Sequence, residues 1–413
     1  MNILVVTPWL PFPPNSSGGH QAIYNGLKAY TKFANVYVTY YAGRKDKSAI
    51  YVEDFVNSTT PHIQVFPYVR KGNLYSTYDK MKILWEYKIA KKLFGNDPDF
   101  KTDSMMIKNV YPNDYIANVL SLIEKLKIDI VQMEHIGPLP LVINMPPKVK
   151  TIFVHHEIGF VVKQLALEGF GYNHYRRIIY EMTKDCEIGL LNRFDRVLTL
   201  SDIDAEKLVT AGVKSEKVLS SFGVVTPPSR IDNNYIISKI LTFLGPEFHP
   251  LDKIGLMWFL ENCWEKLKSK DGEYKLHIIG KWSDKTQNEI RTKYKDVIFL
   301  GFVDDLSDYL IGTTLIVPIT VGSGIRMKIL EAVGRKVPFV STTVGAEGLP
   351  FASEKNCFIT DNPDEFVTDI IKIQSNKIRR YFVDSAFDIY NNSYTMDALI
   401  KQRREICEEL LKV

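Results

Sequence analysis

Short β-branched apolar runs alternate with amphipathic stretches along nearly the whole chain, and this alternation restricts the fold more than any other feature. Residues 3–7, 36–41, 63–66, 130–133, 151–154 and 197–200 are each apolar and bounded by polar residues, Gly or Pro. Strands buried on both faces have that character. Between them, residues 21–33, 116–126 and 175–193 carry apolar side chains at helical spacing. Strand and helix in alternation predict a parallel sheet covered on both faces, which is a doubly wound α/β domain. The pattern breaks at residues 222–229, where Pro227-Pro228 is followed by the polar run Asp232-Asn233-Asn234. An extended connection between domains reads this way. Strand patterns then resume at 240–244, 275–279, 297–300, 314–318 and 339–341, with helices at 254–268, 285–294 and from Arg326. The expected division is 1–225, 226–392 and a C-terminal helix at 393–413, with a return to the first domain as one course open to it. In open α/β folds ligands bind beyond the carboxyl ends of the strands, so two such domains predict a cleft between those ends.

Composition narrows the class of function. The chain has 413 residues, 45% apolar and 24% charged, so disordered, collagen-like and coiled-coil folds are set aside. Lys and Arg total 52 against 48 for Asp and Glu, a net charge of +4 that gives no electrostatic footprint for nucleic acid. Cys186, Cys263, Cys357 and Cys407 lack the paired spacing of a zinc site or redox dithiol, and read as reduced thiols of a cytosolic protein. Met1 leads directly into the first strand with no basic segment or cleavage site, so no export signal is expected. No apolar run approaches the roughly 20 residues of a membrane-spanning helix.

Two turns could carry chemistry. In the second half, Val317-Pro318-Ile319-Thr320-Val321-Gly322-Ser323-Gly324-Ile325-Arg326-Met327-Lys328 runs from a strand through a glycine turn into a helix. Glycines there let backbone N–H groups approach an anion, and a helix N-terminus supplies the equivalent of about half a positive charge. Arg326 and Lys328 add cations where cations oppose the dipole by a few tenths of a kcal/mol, a cost that a bound diphosphate would reverse. Glu331 lies three residues beyond Lys328, placed to accept from ribose hydroxyls or to pair with Lys328 along the helix. In the first half, the Pro-rich loop 8–14 leads to Gly18-Gly19-His20 at the start of a helix. It contains no G-x-G-x-x-G and no acid placed for a ribose, so a dinucleotide fingerprint is absent.

In combination and order, these pieces resemble the retaining glycosyltransferases of the two-Rossmann-domain GT-B kind that use nucleotide-sugar donors, the group with a Glu-x7-Glu motif. Further matching pieces are Asp129-Ile130-Val131-Gln132-Met133-Glu134-His135, Val154-His155-His156-Glu157, Phe194-Asp195-Arg196-Val197, Phe243-Leu244-Gly245, Gly301-Phe302-Val303-Asp304-Asp305 and Thr343-Val344-Gly345-Ala346-Glu347-Gly348. The resemblance spans nearly the whole chain and is weakest over residues 43–127. It implies an α/β fold with two Rossmann-like doubly wound domains facing across a cleft, the first binding acceptor and the second the nucleotide-diphosphate sugar.

Residue by residue, the resemblance places the donor ribose on Glu331 and the diphosphate against Gly322, Ser323, Gly324, Ile325, Gly18 and Gly19. Arg326 and Lys328 stand in a Gly-x-Gly-x-Arg-x-Lys variant of the motif and are expected to stabilise the leaving diphosphate. Ser323 replaces the first motif Glu, which puts the identity of the sugar in question. Pro246 replaces the usual Arg after the Gly of the second domain's first strand, and Lys253 is a candidate substitute. Phe302 and Val303 would face the base. One histidine after the fifth strand is expected near the reacting sugar, either His155 or His156, with His156 favoured as lying further into the loop. No Asp-x-Asp clamp is evident, so no metal and no cofactor are expected.

Residues 75–94 interleave Lys80, Lys82, Lys88, Lys91 and Lys92 with Tyr75, Tyr78, Trp85, Tyr87 and Phe94. That pattern suits a membrane surface bearing a lipid-linked acceptor, although a solvated helix with inward aromatics accounts for it more simply. The expected activity is sugar transfer to a carbohydrate or lipid-linked acceptor in cell-surface polysaccharide or glycoconjugate synthesis, in the cytoplasm or at the inner face of the membrane. Two alternatives share the fold: a sugar-nucleotide 2-epimerase, and a non-catalytic binding subunit that Ser323 makes conceivable.

Overall fold

The structure, a computed structural model, describes residues 1–14, 17–42, 48–59, 62–69, 111–168, 174–322 and 324–412, with positions 81, 85 and 88 between. The chain divides into two compact units, Met1–Ser221 with Ile400–Val413, and Phe222–Leu399. The first boundary falls before the expected 225/226 because Val225 is buried, and Phe222 packed, in the core of the second unit. The second falls at 399/400, within the last helix, instead of at 392/393.

The first unit holds strands β1 (Asn2–Thr7), β2 (Asn35–Ala42), β3 (Ile63–Val69), β4 (Ile130–Glu134), β5 (Lys150–His155), β6 (Arg196–Thr199) and β7 (Val218–Ser220). All pair in parallel, in the order β3-β2-β1-β4-β5-β6-β7. Its helices are α1 (Gly18–Tyr30), α2 (Val52–Thr59), α3 (Asn113–Lys125), α4 (Gly159–Glu168), α5 (His174–Leu191) and α6 (Asp202–Ala211). Apolar side chains on both faces of the strands explain the continuous runs: every residue of β4 is buried, and Leu4, Val6, Met133 and Phe153 share one core with Tyr115 and Leu191. Helix α1 begins three residues before the periodicity suggests, because Ser17 caps it by accepting from the His20 N–H.

The second unit holds β8 (Ile240–Leu244), β9 (Lys275–Ile279), β10 (Val297–Gly301), β11 (Thr314–Val317), β12 (Phe339–Ser341) and β13 (Phe358–Ile359), in the order β10-β9-β8-β11-β12-β13. Helix α7 (Pro250–Phe259) continues through a π-helical turn at Leu260–Trp264 into α8 (Glu265–Lys270). Then follow α9 (Asp284–Lys293), α10 (Ser307–Leu310), α11 (Met327–Gly334), α12 (Thr343–Ala346), α13 (Pro363–Lys372), α14 (Asn376–Ser393) and α15 (Met396–Lys412), the last belonging to the first unit from Ile400 onward. Strand β11 stops at Val317, one residue short of the expected 318, where proline has no N–H to continue a ladder.

Chain order reverses between β1 and β4 in the first sheet and between β8 and β11 in the second. Both turns singled out from the sequence leave the sheet at these reversal points, where neighbouring connections run to opposite faces and leave room for a ligand.

Candidate functional site

In the second unit, β11 is buried along its length and its chain then swings through Gly322 and Gly324, whose φ values are +125° and +80°. Side chains rarely adopt that left-handed backbone, and a Cβ on Gly322 would stand 2.6 Å from Leu251 Cδ1. The turn delivers Arg326 to the N-cap position of α11, where no side chain caps the helix and the first turn holds no acid. Arg326 Nη1 donates to the Gly324 carbonyl at 2.5 Å. Ile325 packs against the core at the same turn. Ser323 lies outside the described residues.

Lys328 turns toward the end of β8. Its ammonium donates to the Leu244 carbonyl and to Asp252 Oδ1 at 2.5 Å, and lies 5.2 Å from the Phe243 ring centre. Asp252 sits in the first turn of α7 and also meets His249 Nδ1 at 3.2 Å. Burial works against charge on this carboxyl, but Lys328 and His249 outweigh it and hold its pKa below the ordinary aspartate value. Glu331, 7% exposed, pairs with Arg335 one turn on, and Arg335 reaches Ser307 Oγ at 3.1 Å. Arg326, Lys328 and Asp252 thus sum to one positive charge, with roughly another half from the helix end.

Lys253 lies on the neighbouring helix and pairs with Glu247 at 2.9 Å. Glu247 also accepts from Thr286 and the Ser283 N–H, and Lys253 first, then these two, lower its pKa strongly. Phe302 is exposed, with the Lys281 ammonium 5.8 Å from its ring, while Val303 packs against the core.

In the first unit, a different chemistry occupies the reversal point. His135 follows β4 with φ +62° and His156 follows β5, and their rings stack at 3.8 Å and 9°. Trp9, from the Pro-rich loop, lies 5.0 Å from His135 and stacks on His20 at 5.3 Å. Gly18 and Gly19 form the first positions of α1, and a Cβ on Gly19 would stand 3.1 Å from His135 Nε2, so a side chain there would have to push the ring back by a few tenths of an ångström. His156 Nε2 lies 2.6 Å from Glu134 Oε2, and Glu134 Oε1 accepts from Gln132 at 2.5 Å.

Burial pushes the Glu134 carboxyl up to about 7, against the pull of Arg403 and His135. Burial also lowers His156 to about 3 and His20 to about 4, and takes His135 well below its usual value. The stack is therefore neutral, able to donate and accept hydrogen bonds without bringing a permanent charge.

His155, the last residue of β5, turns away from the stack that His156 joins. Its Nε2 lies 2.9 Å from Glu187 Oε1, and Glu187 accepts from the N–H groups of Gly159 and Phe160 at the start of α4. The structure thus separates the two adjacent histidines: His156 joins the stack, and His155 joins a buried helix-capping carboxylate.

Gln132, Trp9, His20, Asp252 and Arg335 escaped the sequence reading as members of these clusters. An acid and an amide two residues apart in an apolar strand, Gln132 and Glu134, are the signal that could have found the first. Among the described residues, no group of three or more His, Cys, Asp or Glu is arranged to hold a metal ion, and no helix is long and apolar enough to cross a membrane. The basic segment 75–94 lies outside the described residues apart from Met81, Trp85 and Lys88.

Residues 238–376 match the family glycosyl transferases group 1. The matched stretch is the larger part of the second unit and includes the Gly322–Glu331 cluster. Among solved structures, the chain is similar to TarM, with a TM-score of 0.69 and 13% identity over 98% of either chain. It is also similar to Alr3699/HepE of Anabaena in complex with UDP, with a TM-score of 0.65 and 13% identity over 99% of this chain and all of that one. Sucrose-phosphate synthase of Thermosynechococcus elongatus gives 0.68 and 13% over the full length of both. The fold is of the GT-B type, with two Rossmann-like parallel-sheet units. In sequence, the chain is 23% identical over 214 residues to an uncharacterized 44.6 kDa protein in the cps region of Klebsiella pneumoniae. That match covers 50% of this chain, and the chain spans about half the length of that relative.

Proposed function

We propose that the chain is a glycosyltransferase that moves a sugar from a nucleotide-diphosphate donor, UDP- or GDP-linked, to a carbohydrate or lipid-linked acceptor with retention at the anomeric carbon. The single observation that carries this reading is the uncapped, cationic start of α11 inside the stretch that matches glycosyl transferases group 1. Breaking the glycosyl–phosphate bond concentrates negative charge on the departing diphosphate. Donors fixed in advance at that position lower the barrier without a covalent nucleophile. Arg326, Lys328 and the Gly322–Gly324 backbone are assigned to the diphosphate, with Gly18 and Gly19 as a second helix start suited to it. Lys328 is already held by Asp252, so its position is set before the ligand arrives. Glu331 receives the ribose hydroxyls, Phe302 and Val303 the base, and Lys253 is a further cation beside the same strand ends.

The first unit is assigned to the acceptor, with His156 hydrogen-bonding the transferred sugar or its leaving oxygen. His155 is assigned to holding the start of α4 through Glu187. The cations take the part a divalent ion plays in other transferases, so the reaction runs without metal or cofactor. The work is assigned to the cytoplasm, on a cell-surface polysaccharide or glycoconjugate. Contact with the membrane through residues 75–94 accords with the exposure of Met81 and Trp85.

A thermal-shift panel of UDP, GDP, UDP-glucose and GDP-mannose, with and without a chelator, tests this reading. One nucleotide series at about one hundred times its dissociation constant stabilises the chain by about 2.7 kcal/mol. A flat response to all four ligands would sink the assignment.

A further inference from the structure

A line of five buried side chains runs from the last helix to the histidine stack of the first unit. Arg403 on α15 is 4% exposed, and its guanidinium hydrogen-bonds the Tyr30 hydroxyl on α1. Tyr30 meets Gln132 Oε1, Gln132 Nε2 lies 2.5 Å from Glu134 Oε1, and Glu134 Oε2 lies 2.6 Å from His156 Nε2. Among the described residues, Arg403 Nε and Nη1 meet no acceptor.

A guanidinium can only donate. The Tyr30 oxygen therefore accepts from Arg403, and its own proton goes to Gln132 Oε1. The amide must then turn its NH₂ toward Glu134, which accepts at Oε1. The three links from Arg403 to Glu134 point the same way because a permanent cation stands at the far end, and the carboxylate is left to accept from His156 on its other oxygen. A neutral residue in place of Arg403 would remove that bias and leave Glu134 buried with less opposing charge.

We infer that Arg403 is a positioning residue for His156: through Tyr30, Gln132 and Glu134 it keeps the carboxylate an acceptor, so that His156 carries its proton on Nε2 and leaves Nδ1 unprotonated. An imidazole in that state accepts a hydrogen bond at Nδ1, and in the opposite tautomer it donates there. The use of this choice for sugar transfer rests on the role proposed for His156, but the tautomer itself does not.

The groups facing the pair are Arg403 from α15, Tyr30 from α1, Gln132 from β4, and His135 at the end of β4. Cys407 flanks Tyr30, His155 flanks His156, and His20 flanks His135. Burial raises Glu134 to about 7 even with Arg403 pulling it down, so losing the cation raises it further. When Glu134 then becomes protonated, the Nε2 proton passes to the carboxylate and one proton enters from solvent at Nδ1. Charge and protons balance with solvent as the only source.

The test is ring ¹⁵N NMR of the full chain labelled with ¹⁵N-histidine, with His156 assigned by its loss in His156→Gln. At pH 8 the wild type should show the proton on Nε2, inverting as pH falls through the Glu134 midpoint. Arg403→Met should move that midpoint up by about one pH unit or more, whereas Arg403→Lys should keep it near the wild type. Tyr30→Phe cuts the line while leaving the guanidinium, and should move the midpoint in the same direction if Arg403→Met fails to fold. An unchanged midpoint in either variant, or Nδ1–H in the wild type at pH 8, overturns the inference. No nucleotide is needed for this reading, so an intact tautomer response without UDP or GDP binding would sink the proposed function alone.

Discussion

The two sheet-reversal points present opposite electrostatics. At β8 and β11, permanent cations and two buried carboxylates are locked in ion pairs, Lys328 with Asp252 at the start of α11 and Glu331 with Arg335 toward its end. At β1 and β4, the same topology carries neutral stacked rings whose nearest acid titrates near neutrality. One place suits an anion at any physiological pH. The other suits uncharged hydroxyls and depends on pH. The difference teaches that the fold fixes where a site stands, while the side chains at the strand ends decide which half of a reaction it serves.

The largest expected effect probes the locked pair. Lys328→Met leaves Asp252 buried without its cation and should destabilise the second unit by about 3–5 kcal/mol, read from the urea midpoint. Adding Asp252→Asn should recover most of that loss; no recovery would mean that Lys328 acts mainly through packing on Phe243.

Acid should break the comparison in the other direction. His20, His135 and His156 are neutral when folded, with lowered pKa values. Unfolded, they bind protons below about 6.5, so the unfolded state holds more protons there and stability falls with pH. Glu134 opposes this, since its raised folded pKa makes the folded state hold the extra proton between about 4.5 and 7. Three groups against one leave two uncompensated, a net loss of several kcal/mol on going from pH 7 to pH 4, at about 1.4 kcal/mol per pKa unit. Hydrogen exchange should therefore rise in first-unit peptides before second-unit peptides. Simultaneous rises would show that the stack is not the acid-sensitive element.

The smallest effect concerns Lys253, whose pair with Glu247 is half exposed. Lys253→Met should change stability by less than about 1 kcal/mol. A larger loss of UDP affinity than of stability would make Lys253 part of the anion site.

Much of the fold was legible because buried parallel strands write themselves as apolar runs. Strands β8, β9 and β12 fall where the sequence places them. Strands β7 and β13 were missed, having three and two residues at sheet edges, too few for any periodicity to register. The glycine turn and its basic helix start were visible because left-handed glycines and first-turn cations are local signals. The partners were not. Asp252 stands 76 residues before Lys328, and Tyr30 stands 102 residues before Gln132, so only the folded sheet brings them together. The end of β5 separates His155 from His156, but the sequence alone could not say which of them meets β4's acid.

Calorimetric titration of UDP and GDP into the wild type, Arg326→Ala and His156→Ala tests the contrast between the two regions most directly. One nucleotide should bind at a single site per chain, with affinity at least about tenfold weaker in Arg326→Ala and within about twofold of wild type in His156→Ala. Equal affinity in the wild type and Arg326→Ala, or a loss confined to His156→Ala, would contradict the account.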